Sequence, residues 1–225
     1  MLFHPSERIF KTAAALTALL LAVNPASARI GDTPEQMAGR MLQPNVGKNF
    51  SWPKEMPERE RTKQESENPL KPHVYLLPTE ARDWQEQIFW KTAIKGHLSN
   101  ESGWRIYAYF YKGRSAVELY RRVGESLNDF EVSGILARLR GSDTWRKVER
   151  KQNGDTVMGY DFELGEETAP VLRARRQGDW LAVFNARFDA FLFDRKTRWD
   201  ENEAVRKEAE RKTQAEKAPE SVEGI

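Results

Sequence analysis

The chain contains no cysteine. That excludes thiol catalysis and disulfide staples, so its core must hold without cross-links. Histidine is scarce, at His4, His73 and His97 only. With no Cys beside them, the usual zinc ligand sets are missing. Neither His73 nor His97 has a metal-type spacing, and an isolated His is by default a surface or edge residue rather than a catalytic one. No charge sign dominates. Lys and Arg number 36 and Asp and Glu 34, a formal +2 over 225 residues. This balance gives no case for nucleic acid or an anionic membrane as partner. The G-x-S-x-G nucleophile motif, the P-loop, the G-x-G-x-x-G fingerprint and the EF-hand loop are all missing from the sequence. No cofactor is expected.

Long apolar runs are also lacking, with one informative exception. Thr12–Val23 reads "TAAALTALLLAV", twelve residues, where a membrane-spanning helix needs about 20. Arg8 and Lys11 precede it, and Pro25 and Ala26-Ser27-Ala28 follow. A basic start, a short apolar stretch and an A-x-A site predict a cleavable secretory signal peptide over 1–28. Cleavage after Ala28 removes Arg8, Lys11 and Glu7 and leaves the charge at +1. The expected product is periplasmic or extracellular and has no transmembrane segment.

What is present begins with "GDTPEQ" at 31–36. Thr33 suits a helix N-cap, Pro34 the first helical position, and Gln36 can reach back to the cap as in an S/T-x-x-E/Q box. Met37 and Met41 then share one helical face. The stretch reads as a helix start rather than a binding loop, within an N-terminal segment 29–52.

Residues 53–72 hold four prolines among mixed charges and read as a linker. Glu is as frequent there as the basic residues, which argues against a nucleic-acid arm. A folded domain is expected over 73–193. Residues 84–97, "WQEQIFWKTAIKGH", are ambiguous between helix and strand. Residues 104–120 are clearer. Trp104, Ile106, Ala108 and Phe110 alternate with Arg105, Tyr107, Tyr109 and Tyr111, and Lys112-Gly113-Arg114 turns the chain back as a hairpin.

Asn128 and Glu131 form a capping box for a helix over 129–139, with Leu127 and Val132 as a staple. Val132, Ile135, Leu136 and Leu139 make its apolar stripe, Gly134 suggests a close approach to the sheet, and Gly141 reads as the stop. Strands are expected at Thr144–Arg150, Thr156–Phe162, Val171–Arg176 and Trp180–Asn185, the last two joined at "QGD". "WLAVFN" is apolar on both faces and should be central.

Phe188–Phe193 is apolar enough to dock. Residues 194–225 read as a charged helix with Glu203→Lys207 and Glu208→Lys212 pairs, fraying into a tail. The predicted fold class is α+β. It is an antiparallel sheet of about five strands with a helix on one face, a short N-terminal helix and a long charged C-terminal helix.

The opening "GDTPEQ", the "FYKGRSAVELY" hairpin, the following helix and Trp145 resemble small exported bacterial proteins of unknown function. Those begin with G-[DE]-T-x-x-Q just after the signal peptide. The likeness covers Gly31–Gln36 and 104–185. The G-x-T helix start is also similar to that of small periplasmic lipoproteins of outer-membrane assembly, whose lipidated Cys this chain lacks. Neither resemblance implies catalytic residues.

The most suggestive surface is the strand face of Arg105, Tyr107, Tyr109 and Tyr111. Tyrosines beside an Arg offer rigid area with polar tips, which suits recognition. Arg173 and Arg175 could extend it. The alternative is that these rings pack under the protein's own elements. Asp161 and Glu163 share a face of an expected strand, but ordinary solvent-facing residues would do the same. The expectation is a non-enzymatic binding domain for a peptide, protein or envelope component. The alternatives are a carboxylate hydrolase acting on an envelope polymer, or a structural envelope protein contacting others through its charged helix.

Overall fold

The computed structural model describes residues 30–41, 47–49, 67–78, 84–91, 103–149 and 155–217. The expected signal peptide, most of the expected linker, His97 and the C-terminal tail beyond 217 lie outside them. Among the described residues no helix is long and apolar enough to cross a membrane.

The architecture is mixed α+β around one antiparallel sheet. The strands are β1 (Gly47–Asn49), β2 (Trp84–Lys91), β3 (Gly103–Tyr111), β4 (Arg114–Val123), β5 (Trp145–Lys147), β6 (Phe162–Glu166), β7 (Ala169–Gln177) and β8 (Trp180–Asn185). Their order is β1-β2-β3-β4-β8-β7-β6-β5. Eight described strands replace the expected five or so. The ambiguous stretch at 84 is a strand, and three-residue β1 and β5 are too short to show alternation.

Turn chemistry fixes the hairpins. Lys112 and Gly113 both take positive φ, 51° and 72°, as a two-residue turn matched to strand twist requires. Gly178, at φ 60°, turns β7 into β8. The expected strand at 156–162 is largely irregular instead. Gly159 takes φ 68° and β6 starts only at Phe162. Met158 and Tyr160 then pack on one side of the sheet and Phe162 on the other.

Both faces are covered. On one lie α1 (Pro34–Met41) and α2 (Asp129–Leu139). Met37, Met41, Val132, Leu136 and Leu139 pack there with Ile106, Ala108, Phe110, Leu181 and Val183. Each large apolar side chain so buried contributes about 1.5–3 kcal/mol. On the other lie a 3₁₀ segment, Lys71–Leu76, and the start of α3 (Ala186–Lys217). Leu70, Leu76, Phe188 and Leu192 meet Tyr107, Leu119, Trp180 and Phe184 there. β8 sits mid-sheet with five of its six residues buried, as its sequence requires.

The caps read from sequence are in place. Gln36 N–H donates to Thr33 Oγ1 at 3.3 Å and Thr33 N–H to Gln36 Oε1 at 2.9 Å. Asn128 and Glu131 close the reciprocal box on α2. "GDTPEQ" also anchors the N-terminal segment. Gly31 N–H donates to Ser115 O and Ser115 N–H to Asp32 O, at 2.9 and 2.8 Å. Arg40 bridges Asp32 and the fully buried Glu118, at 3.0 and 3.1 Å, and the Tyr120 hydroxyl also donates to Glu118.

Three expectations need correction. A Cβ on Gly134 would meet nothing within 4 Å, so this glycine serves no close approach. Asn68 and Leu70 belong to the packed body, although they fall in the expected linker. The docked and charged parts of the C-terminus form one continuous helix of 32 residues, roughly 48 Å long. Asn185, the last residue of β8, caps it by accepting from Arg187 N–H and Phe188 N–H. Glu208 pairs with Lys212 at 3.9 Å, whereas Glu203 pairs with Arg206 rather than Lys207, at 2.7 Å.

Candidate functional site

Period-two geometry puts Trp84, Glu86 and Ile88 of β2 directly opposite Tyr111, Tyr109 and Tyr107 of β3. The four residues singled out from sequence do share this face. It is an inner face, however, and not an open recognition surface. Arg105 is 3% exposed, Tyr107 4% and Tyr109 6%. Tyr111 is half-buried against Phe188 and Phe191, with ring centroids 5.5 and 5.1 Å away. The cover comes from the 67–77 segment and the first turns of α3, both distant in sequence.

The cover is incomplete. A cavity of about 320 Å³ remains between the 67–77 segment and the β2–β3 ladder. Its sheet side is Ile88, Tyr107, Tyr109 and Trp84; its outer wall is Leu70, Val74 and Leu77. Three polar groups complete it: Asn68, Glu86 and Lys71. Trp84 stacks on Tyr109 at 5.3 Å and on Phe188 at 5.9 Å, which fixes the end wall.

Asn68 holds the segment in place. Its Oδ1 accepts from Leu70 N–H at 2.9 Å, and its Nδ2 donates to the Tyr109 hydroxyl at 2.8 Å. Burial, then the negative charge of Glu86, push the Tyr109 phenol well above its ordinary pKa. Burial also raises the Tyr107 phenol, against the opposing pull of Arg105 and Arg121. Both phenols therefore present neutral hydroxyls at neutral pH. The cavity offers aromatic and aliphatic walls with a carboxylate, an ammonium and an amide. That suits an amphipathic group.

Of the expected residues, Tyr107 and Tyr109 reach this cavity, and Arg105 and Tyr111 do not line it. Asn68, Trp84 and Glu86 were missed. The period-two pattern of "WQEQIFWK" is the signal that could have placed the last two.

No known protein family, curated protein or solved structure matches the chain.

The acids that converge do so on an arginine. Arg173, 5% exposed, reaches Asp189 at 3.0 Å, Asp155 at 3.2 Å and Glu163 at 3.3 Å, and lies 4.3 Å from the Tyr160 ring centre. Arg175 donates to the Met158 carbonyl. Neither arginine extends a basic surface, because the chain folds over both. Glu163 is buried in this cluster, while Asp161 accepts from Arg176 N–H at 2.9 Å. They do not form a pair facing a cleft. Among the described residues no three His, Asp or Glu side chains gather so as to hold a metal ion.

A wider hollow, about 850 Å³, is open and lined by Glu67, Arg121, Arg176 and Asp179 among others. Its charges are already matched. Arg121 meets Asp179 at 2.7 Å and Glu67 at 2.9 Å, and Arg176 pairs with Asp129. It offers less to a ligand than the smaller aromatic cavity.

Proposed function

We propose that the protein is an exported, non-enzymatic binding domain whose recognition site is the cavity between the 67–77 segment and β2–β3. It takes one apolar group of a peptide, protein or envelope component. The observation that carries this reading is the wall of Trp84, Tyr107 and Tyr109 set against Asn68, Glu86 and Lys71. Aromatic walls bury the apolar part, and the polar groups orient what is attached to it. The convergence of Asp155, Glu163 and Asp189 on Arg173 supports binding over carboxylate hydrolysis, which needs two acids facing a substrate. Export rests on the first 28 residues as sequence. The tie of Gly31 and Asp32 to Ser115 supports a folded domain that starts just after them.

The test is titration of the mature chain with N-acetyl amides of phenylalanine, leucine and serine, followed by NMR. The apolar amides are expected to shift the Trp84 and Tyr109 resonances saturably, and the serine amide to leave them unmoved. Val74, 48% exposed, lines the cavity, so Val74→Trp fills it from a site that tolerates bulk. That variant is expected to abolish the shifts while the melting temperature holds. Failure of every amide to bind, or binding undisturbed by Val74→Trp, would sink the proposal.

A further inference from the structure

A second concavity lies on the other side of the same segment. Tyr75, Leu76, Arg195, Arg198, Trp199 and Asn202 enclose about 220 Å³ where the 3₁₀ segment meets α3. Its two rings are unusual for the molecule. Tyr75 is 47% exposed and Trp199 45%, yet their centroids lie 4.9 Å apart at 57°. Large aromatic surface is thus held in a fixed pair and left in water. The buried and half-buried Arg40, Arg121, Arg122, Arg173 and Arg176 are ion-paired. Arg195 and Arg198 have no carboxylate within 4 Å among the described residues. Arg195 rests over the Phe191 ring instead, at 5.6 Å. Nearby Lys196 is tied to Asp200. Asp194 and Glu201 stand four residues before and three after Arg198, on its flank of the helix, and make no ion pair with it.

Trp, Tyr and Arg are the residues that dominate binding energy at protein interfaces, above all around a pocket. A guanidinium beside a ring prefers a carboxylate, which it can grip through two N–H groups. The hollow is the size of one side chain. It is concave, whereas a membrane contact calls for apolar groups that protrude into the lipid. We propose that this hollow docks an acidic peptide segment of a partner protein. One apolar side chain seats between Tyr75 and Trp199, and flanking carboxylates bind Arg195 and Arg198. This site is separate from the β2–β3 cavity and stands without it.

The experiment uses the whole mature chain and follows the Trp199 indole N–H resonance, assigned by its loss in Trp199→Phe. The probes are the capped peptide DDFDD, its uncharged counterpart NNFNN, and phosphatidylcholine vesicles containing phosphatidylglycerol. DDFDD is expected to shift the resonance saturably. Its affinity should fall roughly tenfold when salt rises from about 0.05 to about 0.3 M, and by at least about tenfold in the Arg195→Gln, Arg198→Gln double variant. NNFNN should produce no shift. Equal binding of NNFNN, no shift with DDFDD, or an unchanged affinity in the double variant would overturn the proposal. Vesicles that move the Trp199 signal where DDFDD does not would reassign the surface to a membrane. Arg198 is exposed and Arg195 half-buried, and among the described residues neither has an ion pair to lose, so the variants should fold.

Discussion

Asp189, in the first turn of α3, has no exposed surface and meets Arg173 of β7 at 3.0 Å. It also accepts from Val157 N–H and Met158 N–H, at 3.1 and 3.3 Å. One carboxylate thus joins the helix, the sheet and the irregular 155–161 stretch. Removing one partner of a buried ion pair leaves the other charge unmatched. Asp189→Ala is therefore expected to cost about 3–5 kcal/mol in urea unfolding. Arg173→Met made in the Asp189→Ala background should add far less than its own separate cost. A loss below about 1 kcal/mol for Asp189→Ala would show that the cluster behaves as a surface ion pair.

Gly134 sits in the interior of α2 with open space around it. Nothing there requires glycine, and glycine costs about 1 kcal/mol in a helix interior. Gly134→Ala should raise stability by about that amount and the melting temperature by roughly 2–4 °C. A lower melting temperature would mean that α2 has a neighbour at this position.

His73 lies half-buried on the 3₁₀ segment. Burial first, and then the positive charge of Arg175, lower its pKa, with Lys196 adding to this and Asp189 opposing it. The unfolded chain therefore takes up this proton before the folded one. Stability should fall as pH drops through about 6.5 and level off below the folded pKa. Unfolding free energy measured against pH should lose that slope in His73→Gln. An unchanged slope would assign it to other groups.

Tyr107, Tyr109 and Tyr160 all have raised pKa values, with burial as the leading cause. Here the folded state keeps protons that the unfolded state has lost, so stability should fall as pH rises above about 10. Tyrosinate absorbance should show Tyr107, Tyr109 and Tyr160 ionising late. Tyr109→Phe should shrink the late phase. A single smooth titration of all six tyrosines would contradict the buried positions of these phenols.

Local signals were the legible part of this sequence. The 104–120 hairpin and the Asn128–Glu131 box depend on residues within a few positions of one another, and both are in place. The sharing of one face by Arg105, Tyr107, Tyr109 and Tyr111 was equally legible, because alternation alone sets it. What covers that face was not. Leu70, Leu76, Phe188 and Leu192 come from segments remote in sequence, and Leu70 stands in a stretch rich in proline and charge. Arg173 misled for the same reason. A charged residue on an alternating strand reads as exposed until partners arrive from Asp155, Glu163 and Asp189. The cavity follows from that same remote covering, so composition carried no trace of it.

Asn185 ends the central strand β8 and caps α3 with no loop between. The two elements therefore behave as one stiff piece, and the helix is a lever rooted in the middle of the sheet. The part beyond Asp194 extends roughly 35 Å. A tilt of about 10° at the root carries its tip about 8 Å. Anything fastened to the far end stands at a set distance from the core and registers each small rotation of β8 as a displacement.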